Sequence, residues 1–210
     1  MFEPGALPIH RLPKQTLHHV WAPKLGHPVL LTGEGQLFIW AMLEANPTVS
    51  RYCERPSWPP EDGFRPASLD FWALRDNQSV WLALQEKPSE LRPEDERHLS
   101  GAVVEFVTAK DLDSHRVWIQ NWLSLLPYLS ATSSLNLDDL GRQVVEFFKH
   151  ESSFDDAEQH FAHEDGVLVR TAVIAQLHAG RLYSSDLLTR AWDIDTRVVR
   201  ITSESHHAPQ

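Results

Sequence analysis

The sequence has little that could form disulfides, membrane spans or a strongly basic surface. Its single cysteine, Cys53, excludes an intramolecular disulfide and any multi-cysteine zinc site, which fits a reducing environment. No apolar run approaches the roughly 20 residues that a membrane helix needs. Residues 1–4 also lack the basic and apolar regions of an export signal. We therefore expect a cytoplasmic protein with no membrane partner.

Positive charge is also scarce. The chain has 19 Lys and Arg against 29 Asp and Glu, so its net charge is −10 with histidines neutral. A protein that grips nucleic acid alone normally carries the opposite sign, because phosphate neutralisation supplies most non-specific affinity. If this chain handles DNA, we expect another subunit to hold the DNA.

Apolar and aromatic residues are plentiful, and histidine is common. Hydrophobic residues make up 42% of the chain, with eight Trp and nine Phe, which is ample for a packed globular core. The 12 histidines include two adjacent pairs, His18-His19 and His206-His207. Adjacent histidines point to different sides of an extended chain, and the i, i+4 pairing typical of helical zinc sites is missing. These histidines are therefore expected at the surface.

Two apolar runs of strand length, 69–74 and 80–84, flank a polar turn and predict a β-hairpin. Asp70 lies in the first run, and Gln85-Glu86-Lys87 closes the second. Antiparallel pairing brings these groups to one end of the hairpin. A metal-dependent phosphodiesterase uses such groups, with acids holding Mg²⁺ or Mn²⁺ and a lysine polarising water or phosphate. Taken alone, an Asp and a Lys at strand ends are more often ordinary solvated ends, and such spacing arises by chance in many sequences.

The remaining patterns predict an α/β domain over residues 30–129, after a loosely packed arm at 1–29. In order, they predict a helix capped by Thr32 and ended by Asn46-Pro47, a strand at 49–54, the hairpin, a short helix at 88–99, a strand at 103–108 and a helix from Lys110 through Leu126. This order gives a mixed sheet flanked by helices.

A compositional break at 130–136 predicts a linker to a small C-terminal domain at 137–202. Three helices are expected at 137–150, 153–158 and 165–179, followed by strands near 183 and 197–201. This pattern is winged-helix-like. The cluster of Arg190, Arg197 and Arg200 supports a further hypothesis, a winged-helix DNA-binding regulator with an unrelated α/β domain, although the acidic balance counts against it.

Four short motifs occur in an order that resembles the TnsA family, the endonuclease subunit of heteromeric transposases. They are Glu54-Arg55-Pro56, Leu69-Asp70-Phe71, Gln85-Glu86-Lys87-Pro88 and the segment Val104 to Leu112. The ordered set is more specific than any single motif. The resemblance covers residues 30 to 128 well and the helical tail loosely, and it implies a restriction-endonuclease-like core.

The resemblance also implies roles for individual residues. Asp70 would bind the metal, Gln85 would stand at the second acid or amide position, Glu86 would offer its backbone carbonyl to the metal, and Lys87 would be catalytic. Proteins of this family cut the 5′ ends of a transposon using Mg²⁺ or Mn²⁺. An RNase H-type transposase partner cuts the 3′ ends and recognises the DNA, and an AAA+ ATPase regulator activates the pair.

One position departs from the family pattern. The family spacing places a helix glutamate at position 36, where this chain has Gln36. A neutral amide can offer an oxygen to a metal but no negative charge, so metal binding is expected to be weaker. A natural loss, an introduced substitution or a shifted register that uses Glu34 or Glu44 would each explain the departure.

We therefore predict a compromised TnsA-like endonuclease. Its catalytic positions would be Gln36, Asp70, Gln85 and Lys87, and its metal would lie against Gln36, Asp70 and Glu86. The alternative from a different functional class is a catalytically silent adaptor that keeps the fold and binds the transposase and the regulator.

Overall fold

The computed structural model of the protein describes residues 3–8, 15–57, 69–85 and 102–202. It divides the chain into two compact units. The N-terminal unit comprises residues 1–44 and 48–115, and the C-terminal unit comprises residues 45–47 and 116–210. Within the described residues of the N-terminal unit, the elements are β1 (Leu17–Ala22), β2 (His27–Thr32), α1 (Gly33–Ala45), β3 (Val49–Glu54), β4 (Phe71–Arg75), β5 (Gln78–Gln85), β6 (Val103–Thr108) and α2 (Ala109–Ser114).

The core of the N-terminal unit is a mixed four-stranded sheet. The strand order is β3-β4-β5-β6, with antiparallel pairing at the first two junctions and parallel pairing between β5 and β6. The predicted α/β class with a mixed sheet is confirmed, and so are the helix after Thr32 and the strands at 49–54 and 103–108. The predicted short helix at 88–99 lies outside the described residues.

The hairpin of β4 and β5 forms as the sequence predicted. Its two turn residues, Asp76 and Asn77, have φ angles of +49° and +60°. Positive φ at both central positions is the type I′ geometry that matches the natural twist of paired strands, and Asp and Asn tolerate it better than most residues. Cys53, Trp72 and Trp81 form a buried cluster across the three strands β3, β4 and β5, so the sheet is fixed by aromatic packing.

The predicted loose arm at 1–29 is instead partly regular structure. Strands β1 and β2 pair antiparallel, with Val20 opposite Val29 and Leu17 opposite Thr32. The hairpin is anchored because Ala22, Val29 and Leu31 are almost completely buried. Proline and histidine in these strands masked the alternation that would otherwise have predicted them.

The predicted helix from Lys110 through Leu126 is two helices. Thr108 caps α2 with a complete capping box, since its side chain accepts from the Asp111 N–H and Asp111 accepts in return from the Thr108 N–H. α2 ends at Ser114, and the next helix, α3 (Arg116–Ala131), belongs to the C-terminal unit.

The C-terminal unit continues with α4 (Asp138–Phe147), β7 (Ser152–Ser153), α5 (Phe154–His160), α6 (Gly166–His178), β8 (Leu182–Tyr183), α7 (Asp186–Thr189) and β9 (Arg197–Arg200). The three predicted helices after residue 137 are present, and β8 pairs antiparallel with β9. β7 pairs on the other side of β9. These elements are compatible with the winged-helix prediction, which remains a prediction.

The boundary between the units lies earlier than the predicted 129, because α3 packs in the C-terminal unit. Asn121 of α3 is buried, and its Nδ2 donates to the carbonyls of Leu187 and Arg190 at 2.9 and 2.8 Å. Its Oδ1 accepts from the Trp192 N–H at 2.9 Å. These bonds satisfy both ends of the amide. The connection predicted at 130–136 correspondingly begins after Ala131.

Candidate functional site

The site lies where the first turn of α1 meets the start of β4 and the end of β5. α1 starts directly after β2, and Gly33 makes this sharp change possible with a φ of +74°. Gly35 lets the helix approach β5, because a Cβ atom there would overlap the Leu84 side chain. The next residue, Gln36, is only 8% exposed.

The Gln36 side chain spans the gap between Thr32 and Asp70. Its Oε1 accepts from the Thr32 backbone N–H at 2.8 Å and from the Thr32 hydroxyl at 3.0 Å. Its Nε2 donates to Asp70 Oδ1 at 2.8 Å. The Thr32 N–H can only donate, so it fixes which end of the amide is the oxygen. The amide therefore presents its NH₂ group to Asp70.

Both carboxylate oxygens of Asp70 have a donor. Oδ1 accepts from Gln36, and Oδ2 accepts from the backbone N–H of Leu84 at 2.6 Å. Burial raises the pKa of Asp70, and the two hydrogen bonds oppose that rise without cancelling it. The Asp70 backbone is held as well, since its N–H donates to the Leu82 carbonyl at 2.9 Å.

The other predicted site residues are only partly described. Gln85 is the last residue of β5, directly after the Leu84 whose N–H contacts Asp70, and it is half-buried. Glu86 and Lys87 follow Gln85 in the chain and lie outside the described residues. The hairpin therefore brings Asp70 to the end of β5, as the sequence predicted.

The two alternative helix acids do not occupy the position of Gln36. Glu34 is exposed on the first turn of α1. Glu44 is fully buried near the opposite end of α1, where it accepts from the Tyr52 hydroxyl at 2.5 Å and from the Lys24 N–H at 3.3 and 3.4 Å. Gln36 is thus the α1 residue that contacts Asp70.

The triplet Glu54-Arg55-Pro56 supports this part of the molecule. Arg55 has a φ of +45°, its N–H donates to the Asp70 carbonyl at 2.8 Å, and its Nη2 lies 3.2 Å from Glu54 Oε1. Its guanidinium also donates to the carbonyls of Leu7 and Leu30. Arg55 therefore ties Asp70 to two N-terminal segments, and its charge is matched by the buried Glu54.

The described residues do not fit a magnesium ion as they stand. They provide one carboxylate, Asp70, whose two oxygens already accept N–H donors, and the Gln36 oxygen is directed at Thr32. Hard cations such as Mg²⁺ need several free oxygen ligands. Within the described part of the chain, no group of three or more His, Cys, Asp or Glu side chains could hold a metal ion.

Sequence reasoning missed two members of this arrangement, Thr32 and the backbone N–H of Leu84. Thr32 was predicted as a helix cap, but its two donors serve Gln36 instead. Its place four residues before Gln36, one helical turn away, was the available signal. A backbone donor such as Leu84 leaves no trace in side-chain identity.

The arginine cluster of the C-terminal unit is neutralised by neighbouring acids. Arg190 pairs with Asp186 at 2.8 Å and with Asp193 at 3.0 Å. The other two arginines also have partners: Arg197 lies 3.6 Å from Asp156, and Arg200 lies 2.7 Å from Glu146. These pairs weaken the hypothesis of a DNA-binding regulator, which depended on free positive charge.

Comparisons with known proteins add no relative to this picture. Over the described residues, no helix combines the length and the apolar character needed to cross a membrane. Neither a scan against protein-family models nor a search of curated proteins found a match to this chain.

Proposed function

We propose that this chain is a TnsA-like subunit of a heteromeric transposase whose nuclease centre is closed by Gln36. The contact that carries the proposal is the 2.8 Å hydrogen bond from Gln36 Nε2 to Asp70 Oδ1. It joins the two positions at which the family motifs put a helix glutamate and a metal-binding aspartate. The order of α1 and the strands β3 to β6 also supports the resemblance.

By a closed centre we mean that Gln36 and Asp70 bind each other rather than a metal ion. Asp70 is held by two N–H donors, and Gln36 supplies no charge. The subunit would then serve as an adaptor that binds the RNase H-type transposase and the AAA+ ATPase regulator. The net charge of −10 supports this division of labour, because the partner would hold the transposon-end DNA.

The second candidate is an active endonuclease that cuts the 5′ ends of a transposon with Mg²⁺ or Mn²⁺. The observation in its favour is that Asp70 contacts the end of β5, from which the chain continues into Gln85, Glu86 and Lys87. In the family pattern, these are the second amide position, the carbonyl ligand and the catalytic lysine.

The test is strand cleavage of transposon-end DNA by the full chain together with its RNase H-type partner, with Mg²⁺ or Mn²⁺ supplied. Three versions are compared: the native chain, the single variant Gln36→Glu, and the double variant Gln36→Glu with Asp70→Ala. Co-elution with the partner is measured for each variant. The matched control is Gln120→Glu, the same chemical change at an exposed position of α3.

We expect the native chain to co-elute with the partner without cutting 5′ ends. Gln36→Glu should gain a 5′ cut that Asp70→Ala abolishes. A 5′ cut by the native chain that depends on Asp70 would overturn the closed centre and establish the endonuclease. Loss of both cutting and co-elution in every version would overturn the TnsA-like assignment itself.

A further inference from the structure

Three elements of the N-terminal unit meet at the amide of Gln36. Gln36 lies on α1, Asp70 immediately precedes β4, and Leu84 is in β5. The bonds from Gln36 Nε2 and from the Leu84 N–H converge on the Asp70 carboxylate at 2.8 and 2.6 Å. A divalent cation between two carboxylates would join the helix and the hairpin at this same place.

The orientation of the amide is determined from outside the pair. Thr32 lies at the end of β2, and its N–H and hydroxyl both donate to Gln36 Oε1. A rotated amide would aim its NH₂ group at the Thr32 N–H and its oxygen at the Asp70 carboxylate, which replaces two favourable contacts with repulsive ones, while the Thr32 hydroxyl could turn to accept. Thr32 therefore selects the orientation in which Gln36 can bind Asp70.

We propose that Thr32, Gln36 and Asp70 form a cation-independent latch that holds α1 on the β4–β5 hairpin. The amide connects α1 to Asp70, as a divalent cation would connect two carboxylates at these positions. Thr32 is the positioning residue, because it sets the orientation of the amide. The latch rests only on these contacts and stands whether or not the chain is a transposase subunit.

Replacement of the amide by a carboxylate is the decisive test. In Gln36→Glu, the oxygen that faces Thr32 keeps both donors. The other oxygen takes the place of Nε2, which lies 2.8 Å from Asp70 Oδ1 in the native chain. Two carboxylates this close repel each other unless a proton or a cation lies between them. At a pH where both carboxyl groups are ionised, the variant should therefore need a divalent cation where the native chain needs none.

The first measurement is thermal unfolding of the full chain in EDTA and in millimolar MnCl₂. We expect the native Tm to be the same in both buffers. Gln36→Glu should lose roughly 4–8 °C in EDTA and regain most of it with Mn²⁺. The control Gln120→Glu should behave like the native chain. A native Tm that rises with Mn²⁺ as much as that of Gln36→Glu, or a Gln36→Glu variant indifferent to both buffers, would overturn the latch.

The second measurement uses NMR of the native chain and does not depend on the folding of Gln36→Glu. The side-chain NH₂ signals of Gln36 should show one proton strongly shifted by its bond to a carboxylate, and Asp70→Ala should remove that shift. Thr32→Val should weaken the shift, and Thr32→Ser, which keeps the hydroxyl, should restore it. Mn²⁺ should leave the Leu84 amide signal sharp. Selective broadening of that signal, or an unshifted Gln36 amide, would contradict the proposal.

Discussion

Two carboxylates in the N-terminal unit, the buried Glu44 and the half-buried Asp70, are stabilised in different ways. Glu44 is on α1 itself and accepts from the Tyr52 hydroxyl and the Lys24 N–H. Asp70 is outside the helix and accepts from the Gln36 amide and the Leu84 N–H. The hydrogen bonds named here come from neutral donors at both carboxylates.

The two sites differ in the groups that hold each donor in place. Tyr52 is itself held by Trp40, whose Nε1 donates to the Tyr52 hydroxyl at 2.8 Å, and burial raises the pKa of the Tyr52 phenol. The Tyr52 hydroxyl therefore keeps its proton, donates to Glu44 and accepts from Trp40. At Asp70 the donor is an amide whose replacement by a carboxylate is nearly isosteric, so that site can change its chemistry with little change in shape.

The largest effect is expected at the Glu44 end of the helix. Glu44→Ala should lower the free energy of unfolding by about 3 kcal/mol, because it leaves a cavity and removes the acceptor of a buried hydroxyl. Urea unfolding followed by tryptophan fluorescence measures this loss. Glu44→Gln, which keeps one acceptor oxygen, should lose clearly less. A Glu44→Ala variant as stable as the native chain would show that the buried network contributes nothing.

A smaller loss is expected at Asp70. Asp70→Asn should cost about 2 kcal/mol, because one acceptor oxygen must serve two N–H donors, and the new NH₂ group faces one of them. The same urea titration applies, and Asp113→Asn, an exposed position on α2, is the matched control. If Asp70→Asn left the free energy of unfolding unchanged while Glu44→Ala lowered it, the hydrogen bonds of Asp70 would contribute nothing to stability, unlike those of Glu44.

The smallest effect is a dependence on pH at Lys24. Burial lowers the pKa of Lys24 to about 8, although Glu44 opposes the shift. When folding lowers the pKa of a lysine, the free energy of unfolding is highest above the pKa that the lysine has in the unfolded chain. It falls as the pH falls from there through the pKa of the folded chain. Lys24 should therefore contribute a rise of about 1 kcal/mol in the free energy of unfolding, after allowance for solvent screening, between pH 8 and pH 9.5. The Cys53 thiol opposes this rise, because burial raises its pKa to about 12 while the thiol of the unfolded chain ionises over the same range.

Replacement of the lysine isolates its contribution to this pH dependence. Relative to the native chain, Lys24→Met should lose this contribution between pH 8 and pH 9.5, whereas Lys110→Met, at an exposed position, should follow the native pH dependence, since both variants keep Cys53. Measurements stop at pH 9.5 because tyrosines of the unfolded chain begin to ionise beyond it. An equal rise in Lys24→Met would assign the effect to another group.

The sequence predicted the parts of the fold that depend on local patterns. Alternating apolar residues around Asp76-Asn77 determine the β4–β5 hairpin, and family spacing pointed to position 36. The β1–β2 hairpin was missed because its proline and histidine residues hid the alternation. The break between α2 and α3 was missed because it depends on a capping box at Thr108 and on the packing of Asn121, which only the tertiary structure reveals.

The candidate site was predictable only in its side-chain identities. Asp70 and Gln36 could be paired from motif order, but the orientation of the amide depends on Thr32, which pairs with Leu17 in a hairpin that the sequence did not predict. Backbone donors such as the Leu84 N–H are common to nearly all residues, so sequence cannot single them out.

The choice of glutamine at position 36 also has a genetic consequence. Glutamine and glutamate codons differ only in their first base, so one transversion would place a carboxylate opposite Asp70. The surrounding fold would need no second change at Thr32, because its two donors serve a carboxylate oxygen as well as an amide oxygen. The hydrogen-bonded pair of Gln36 and Asp70 and a pair of facing carboxylates are therefore one base change apart within the same local structure.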